Sequence, residues 1–148
     1  MNRQTRVALT LVVLDERRWL LPQAEVASLE PLLDLDPEVR APRSIGAIAY
    51  RDAWWPVYCV SGELRVMPRM PEKRRFCLLL DNGADQFGLV CDQVESLTDS
   101  PPLFALPACM RLPDSPIEAL ALLDAGLGCA TTAEHLARLI ATGEHSDV

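Results

Sequence analysis

The residues best able to do covalent or metal chemistry in this 148-residue chain are five cysteines and two histidines. Cys59, Cys77, Cys91, Cys109 and Cys129 are odd in number and widely spaced, with no CxxC pair. A disulfide framework or a zinc site needs an even or clustered set, so no metal and no cofactor is expected. Cys59, Cys77 and Cys91 stand inside apolar runs, where a free cysteine behaves as a small buried hydrophobe. That usage points to a reducing compartment, and a cytoplasmic location is expected. A cysteine nucleophile would need a base beside it. The choices are His135, next to an apolar helical stripe, and His145, in a polar tail. No Ser-His-Asp order, glycine-rich phosphate loop or metal-spaced cluster is present. No catalytic residue is assigned, and the chain is expected not to be an enzyme.

Charge narrows the partners. The formal net charge is −7, which opposes a surface built to attract nucleic acid or anionic membrane. Residues 65–75 depart from this background, with Arg65, Arg69, Lys73, Arg74 and Arg75 set against Glu72 alone. The segment reads as a solvated loop between two strands that could steer an acidic protein partner. A barrel-type nucleic-acid-binding module is an alternative class, but the segment holds no aromatic on which a base would stack. The first apolar run, residues 7–14, is far shorter than the ~20 residues a helix needs to span a bilayer. It leads into Asp15-Glu16-Arg17-Arg18 instead of a small-residue cleavage site, so no membrane insertion is expected.

The elements that must position these residues are mostly strands. Aromatics make up only 5% of the chain, so Leu, Val and Ala must fill the core, and twelve prolines against seven glycines favour loops and sheet edges. Short β-like runs cover 6–14, 18–21, 45–50, 53–60, 76–80, 86–91 and 93–97, with a brief extended piece at 26–29. Pro56 inside the 53–60 run predicts an edge or a bulge. Asn82-Gly83 marks the clearest hairpin, because tight turns need positive φ. Residues 98–116 contain five prolines and read as a long irregular connection. Runs at 117–123 and 127–131 give the last two strands. Thr131 and Glu134 have capping-box spacing ahead of the stripe Leu136, Leu139 and Ile140, with Gly143 as the stop. The sum is eight or nine strands and one closing helix in a single domain, 1–148, with a disordered tail from about 143.

Three blocks carry a family resemblance. Residues 45–60 run Ile45-Gly46-Ala47-Ile48-Ala49-Tyr50-Arg51-Asp52-Ala53-Trp54-Trp55-Pro56-Val57-Tyr58-Cys59-Val60. Gly88-Leu89-Val90-Cys91-Asp92-Gln93-Val94 and Leu21-Pro22-Gln23-Ala24-Glu25-Val26 complete the set. In order and spacing the three resemble the CheW-like domain: an apolar-Gly stretch, an Arg-Gly turn and a Pro-Val strand; a Gly-apolar-Val-Val-Asp-x-Val strand; and the short segment after the second strand. Asp52 replaces the usual turn glycine, Cys59 the usual strand-end Asp, and Trp54 and Trp55 the usual branched aliphatics. Asp tolerates left-handed backbone, so the turn should survive. The two tryptophans should point to opposite faces, since strand side chains alternate.

The resemblance implies two SH3-like five-stranded β-barrel lobes around a shared hydrophobic core, with a short C-terminal helix. It further implies a bacterial, non-catalytic adaptor. Such a protein couples the cytoplasmic tip of a chemoreceptor to the regulatory domain of a CheA-like histidine kinase, in flagellar chemotaxis or in a type IV pilus system that drives twitching motility. The departures at Trp54, Trp55 and Cys59 lean toward the pilus-type arrangement, and a specialised interaction domain outside chemotaxis stays open. Barrel edges of the family meet homologous edges, which allows weak self-association. By position, Arg51 is the first partner-binding candidate, because a guanidinium suits bidentate contact with carboxylates. Val26 and Leu29 match the lobe edge that meets the kinase, and Gly46 matches the same surface. Tyr50 and Trp54 are candidate anchors, since interface hot spots favour aromatics. Asp92 matches a strand aspartate with a structural role.

Overall fold

The computed structural model describes residues 8–112 and 115–142. The start of the first expected strand (Arg6 and Val7), the helix stop at Gly143 and the tail with His145 lie outside the described residues. In chain order the strands are β1 (Leu9–Leu14), β2 (Arg17–Pro22), β3 (Val26–Pro31), β4 (Gly46–Tyr50), β5 (Ala53–Val60) and β6 (Val66–Met67). They continue as β7 (Phe76–Asp81), β8 (Gln86–Cys91), β9 (Gln93–Ser96), β10 (Leu103–Ala105), β11 (Ala119–Leu123) and β12 (Gly126–Ala130), and the helix α1 spans Ala133–Thr142.

Local chemistry sets the hairpins. Asp15 and Glu16 link β1 to β2 with φ of 50° and 68°, and Arg51 and Asp52 link β4 to β5 with φ of 49° and 61°. Two consecutive left-handed residues give the turn twist that matches twisted strands. Asp52 thus takes the place of a turn glycine without loss of the hairpin. Between β7 and β8, Asn82 Oδ1 accepts the N–H groups of Ala84 (3.0 Å) and Asp85 (2.7 Å), and Gly83 supplies φ of 94°.

The strands form two curled sheets, each resembling a barrel lobe. The first lobe has the order β10-β11-β12-β2-β1-β9 and the second β3-β7-β8-β5-β4, with β6 added on β5. Each contains one parallel pair among antiparallel neighbours: β12 with β2, through Cys129 opposite Trp19, and β5 with β8, through Val57 opposite Gly88. The edge or bulge expected at Pro56 is not found: β5 is an inner strand with a regular register to β4, and Pro56 lies opposite Ala47, whose own N–H and C=O both bond to Asp36. The second lobe closes where Asp36 and Ala47 exchange backbone hydrogen bonds of 2.8 and 3.0 Å. Gly46 is required beside that closure. Its φ is 155°, and a Cβ there would lie 2.6 Å from Asp36 O.

Three apolar clusters fill the molecule. Leu9, Leu20, Ala121 and Ala130 pack inside the first lobe, and Ile45, Ile48, Trp55, Val57, Cys59, Cys77, Leu79 and Val90 inside the second. A larger cluster lies between them. It joins Leu14, Trp19 and Leu21 of the first lobe to Leu78, Leu80, Phe87 and Leu89 of the second, under Ala133, Leu136 and Ile140 of α1. This is the shared core, and each large side chain buried there contributes about 1.5–3 kcal/mol.

The expectations for strand number and for the helix cap need correction. The described residues hold twelve strands, because 26–31 is a full strand and two short strands, β6 and β10, lie inside stretches read as loops. Two-residue and three-residue strands carry too few side chains to show alternation. The helix cap also moves by one residue. Thr132 Oγ1 accepts the His135 N–H at 3.2 Å, while Thr131 is buried with its hydroxyl unpaired. The free N–H of Ala133 goes to the Glu25 carboxylate at 2.9 Å, a group 108 positions away.

Candidate functional site

Four of the six candidate residues, Val26, Leu29, Tyr50 and Arg51, belong to a seam of the second lobe, where the end of β4 meets β3. The Tyr50 hydroxyl donates to the Ala27 carbonyl at 3.4 Å, so it ties β4 to the strand that carries Val26 and Leu29. The Tyr50 ring meets Trp55 edge-on at 5.5 Å, and the Trp55 indole N–H donates to Tyr50 O at 3.1 Å. Arg51 stacks above the same ring, its Cζ 5.2 Å from the centroid. Trp54 lies opposite Ala49 one pair along the hairpin. Gly46, the sixth, sits at the far end of β4 beneath Asp36.

Exposure divides the set. The two tryptophans alternate as expected: Trp55 is 4% exposed and Trp54 53%. Leu29 is exposed on β3, and Leu33 stands in the 3₁₀ turn Leu32–Asp34 at 96% exposure. Val26 and Tyr50 are partly buried against the core, and Gly46 is buried. Leu29, Arg51 and Trp54 therefore supply surface, while Val26, Tyr50 and Gly46 shape the backbone that presents them.

A second apolar surface belongs to the first lobe and was not anticipated from sequence. Phe104 pairs with Leu120, and Leu122 with Leu127. Directly paired residues share a face of the sheet, and so do alternate residues of one strand. Phe104, Leu120, Leu122 and Leu127 thus form one apolar face, on which Phe104, Leu122 and Leu127 are exposed. Ala119, Ala121 and Leu123 take the opposite face, into the first-lobe core. The signal was present: Ala119-Leu120-Ala121-Leu122-Leu123 is apolar on both faces, whereas a half-buried strand would alternate.

The basic segment is only in part a solvated loop. Arg65, Arg69 and Arg75 are exposed, but the Arg74 side chain is 0% exposed. Its Nη1 donates to Val90 O at 2.8 Å and its Nη2 to Asp15 Oδ1 at 3.0 Å. Nε lies 3.0 Å from Asp92 Oδ1, an ion-pair contact without hydrogen-bond alignment. Lys73 Nζ adds contacts of 3.0 Å to Asp15 and 3.8 Å to Asp92. Two cations meet two carboxylates, so neither basic residue offers its charge freely to a partner. Partial burial alone would raise the Asp15 carboxyl. Hydrogen bonds from Lys73, the Gly62 N–H and Arg74 outweigh it and hold the group at about 2.

All five cysteines are free thiols, and four of them show the reverse tendency. Burial pushes Cys59 up to about 11 and Cys77 up to about 12, and it also raises Cys91 and Cys129. An activated nucleophile needs a lowered thiol pKa. Among the described residues no group of three or more His, Cys, Asp or Glu side chains could hold a metal ion, and no helix is long and apolar enough to cross a membrane.

Two curled sheets that share one apolar core define a two-lobed β-domain. The family model of the CheW-like domain matches residues 8–103, and the chain belongs to that family. Among solved structures it is similar to the scaffolding protein TtCheW from Thermoanaerobacter tengcongensis. The TM-score is 0.69 at 16% identity, covering 89% of this chain and 92% of that one. At that identity the likeness speaks for the fold. No curated protein matches the chain.

Proposed function

We propose that this chain is a cytoplasmic, non-catalytic adaptor that couples a chemoreceptor to a CheA-like histidine kinase in a chemosensory array. Family membership supports the class. The observation that carries the reading is the presence of a separate exposed apolar surface on each lobe. A bridge needs two such surfaces, whereas an enzyme needs one concave site. The Leu29–Leu33–Trp54 surface beside the second-lobe seam suits the kinase's regulatory domain, with Arg51 at its margin for a carboxylate. The Phe104–Leu122–Leu127 face of the first lobe suits the apolar stripe of a receptor helix, the helix-on-apolar-surface mode of recognition.

Of the departures from the family pattern, Trp55 and Cys59 are core residues and leave the surface unchanged. Asp52, in the β4–β5 turn, and Trp54 are the two that reach solvent. A preference for a flagellar or a pilus array therefore falls to Asp52 and Trp54 among these positions.

The test is a titration of the purified protein against the regulatory domain of a CheA-type kinase from the same organism, with a receptor-tip fragment in a parallel series. The expected result is micromolar binding to both. Trp54→Ala should weaken the kinase arm about tenfold, equivalent to about 1.4 kcal/mol, and leave the receptor arm unchanged. Absence of binding in both arms would overturn the proposal and leave the family assignment standing.

A further inference from the structure

The two lobes meet through a polar cluster as well as through their shared apolar core. Asp15 belongs to the β1–β2 turn of the first lobe, Lys73 and Arg74 precede β7 of the second, and Asp92 lies in the link from β8 to β9. The Arg74 guanidinium is aimed three ways: at Val90 in its own lobe, at Asp15 across the junction and at Asp92 in the link. Asp15 Oδ2 accepts the N–H of Gly62, just past β5, at 2.9 Å. Asp92 Oδ2 accepts the Asp15 N–H at 2.8 Å. Trp19 of β2 donates its indole N–H to Gly62 O at 3.0 Å. A Cβ on Gly62 would lie 2.6 Å from Leu14 O, so the lobes touch backbone to backbone there.

We propose that Asp15, Lys73, Arg74 and Asp92 act as an orientation lock, with Arg74 the positioning residue that fixes the first lobe relative to the second. The physical reason is a division of labour. Apolar burial holds the lobes together but is non-directional, and apolar cores accept alternative packings of similar volume. Hydrogen bonds and ion pairs are directional. A rotation of one lobe would break several of these contacts at once and leave a buried guanidinium unpaired, which is costly. An ion cluster built around a buried guanidinium adds little net stability over an apolar replacement, so its contribution here is a single relative orientation. For the adaptor reading, on which this last clause rests, that orientation sets the angle between the kinase and receptor surfaces.

The lock can be tested on the free protein. Backbone residual dipolar couplings would be measured for the wild type, Asp15→Asn and Arg74→Met. Wild-type couplings from both lobes should fit one alignment tensor. In the variants each lobe should still fit its own tensor, but the two tensors should differ in orientation or magnitude. One shared tensor in Asp15→Asn would overturn the lock, as would loss of amide dispersion within a lobe of that variant. If Arg74→Met does not fold, Asp15→Asn decides alone. The adaptor reading is scored separately. Each partner alone should bind Asp15→Asn within about twofold of wild type, while receptor-fragment affinity with the kinase domain present should fall at least fivefold. Wild-type protein that binds neither partner would defeat the adaptor reading and leave the tensor comparison decisive for the lock.

Discussion

Trp54 and Trp55 are chemically identical neighbours with opposite fates. Trp55 fills the second lobe, satisfies its indole N–H on Tyr50 O and packs edge-on against the Tyr50 ring. Trp55→Ala should therefore cost about 3–5 kcal/mol of folding stability. Trp54→Ala should stay within about 0.5 kcal/mol, as exposed substitutions do. Urea unfolding of both variants checks the contrast, and a large loss for Trp54→Ala would remove it from the surface. Asp15 makes a pH prediction with a definite sign. Its carboxyl sits at about 2 in the folded chain against an ordinary 3.8, so its charged form is favoured by folding. The contribution is fully present above about pH 4 and is lost as the pH falls toward 2, which is the linkage expected of a depressed carboxyl. Lys73 is half exposed, so solvent screening limits the effect to on the order of 1 kcal/mol. The stability of Asp15→Asn and of wild type should converge as the pH drops from 5 to 2. Parallel curves would show that Asp15 is not coupled to folding.

The helix α1 is held at both ends by groups from elsewhere in the chain. Glu25, in the 3₁₀ turn before β3, takes the Ala133 N–H, and a carboxylate at a helix N-terminus is favoured by the helix dipole. Arg43, before β4, donates Nη1 to the carbonyls of Ile140 and Ala141, the latter at 2.9 Å, and a cation at the C-terminus completes the pattern. Glu134 and Arg138 add an i,i+4 pair at 3.1 Å. Isolated helices of this length are marginal in water, so docking over the shared core and these two clamps must hold it. Glu25→Gln and Arg43→Ala should each raise amide exchange in α1 selectively, with a stability cost of about 1 kcal/mol for the N-terminal change. Uniform change across the strands would show that the clamps serve the whole fold instead.

For the whole molecule, the two apolar surfaces should be separable. Leu29→Asp and Leu127→Asp replace exposed side chains and should each leave the stability within about 0.5 kcal/mol. In the binding titration Leu29→Asp should abolish the kinase arm and spare the receptor arm, and Leu127→Asp should do the reverse. Loss of both arms by either variant would mean that the lobes do not carry separate partners. The net charge of −7 bears on the same assay, because weak contacts with an acidic receptor fragment would strengthen as salt rises.

The class of fold and most of its hairpins were legible from the order of residues alone. Val, Leu and Ile runs of strand length, left-handed turn residues at Arg51-Asp52 and Asn82-Gly83, and three ordered blocks are local signals, read within a few residues of one another. The same order also placed Cys59, Cys77 and Cys91 in the core, since each lies within an apolar run. Which charged residues lie on the surface became clear only in three dimensions. Arg74 and Arg75 are adjacent and alike in sequence. One is sealed between carboxylates that come from positions 15 and 92, the other is in solvent, and no local pattern separates them. The same holds for the helix cap at Glu25 and for the pairing of β12 with β2. The closure of the second lobe at Asp36 and Ala47 follows the same rule. Each joins residues distant in the chain, and such contacts are set by how the two lobes close and share a core, which is a property of the whole chain rather than of any segment of it.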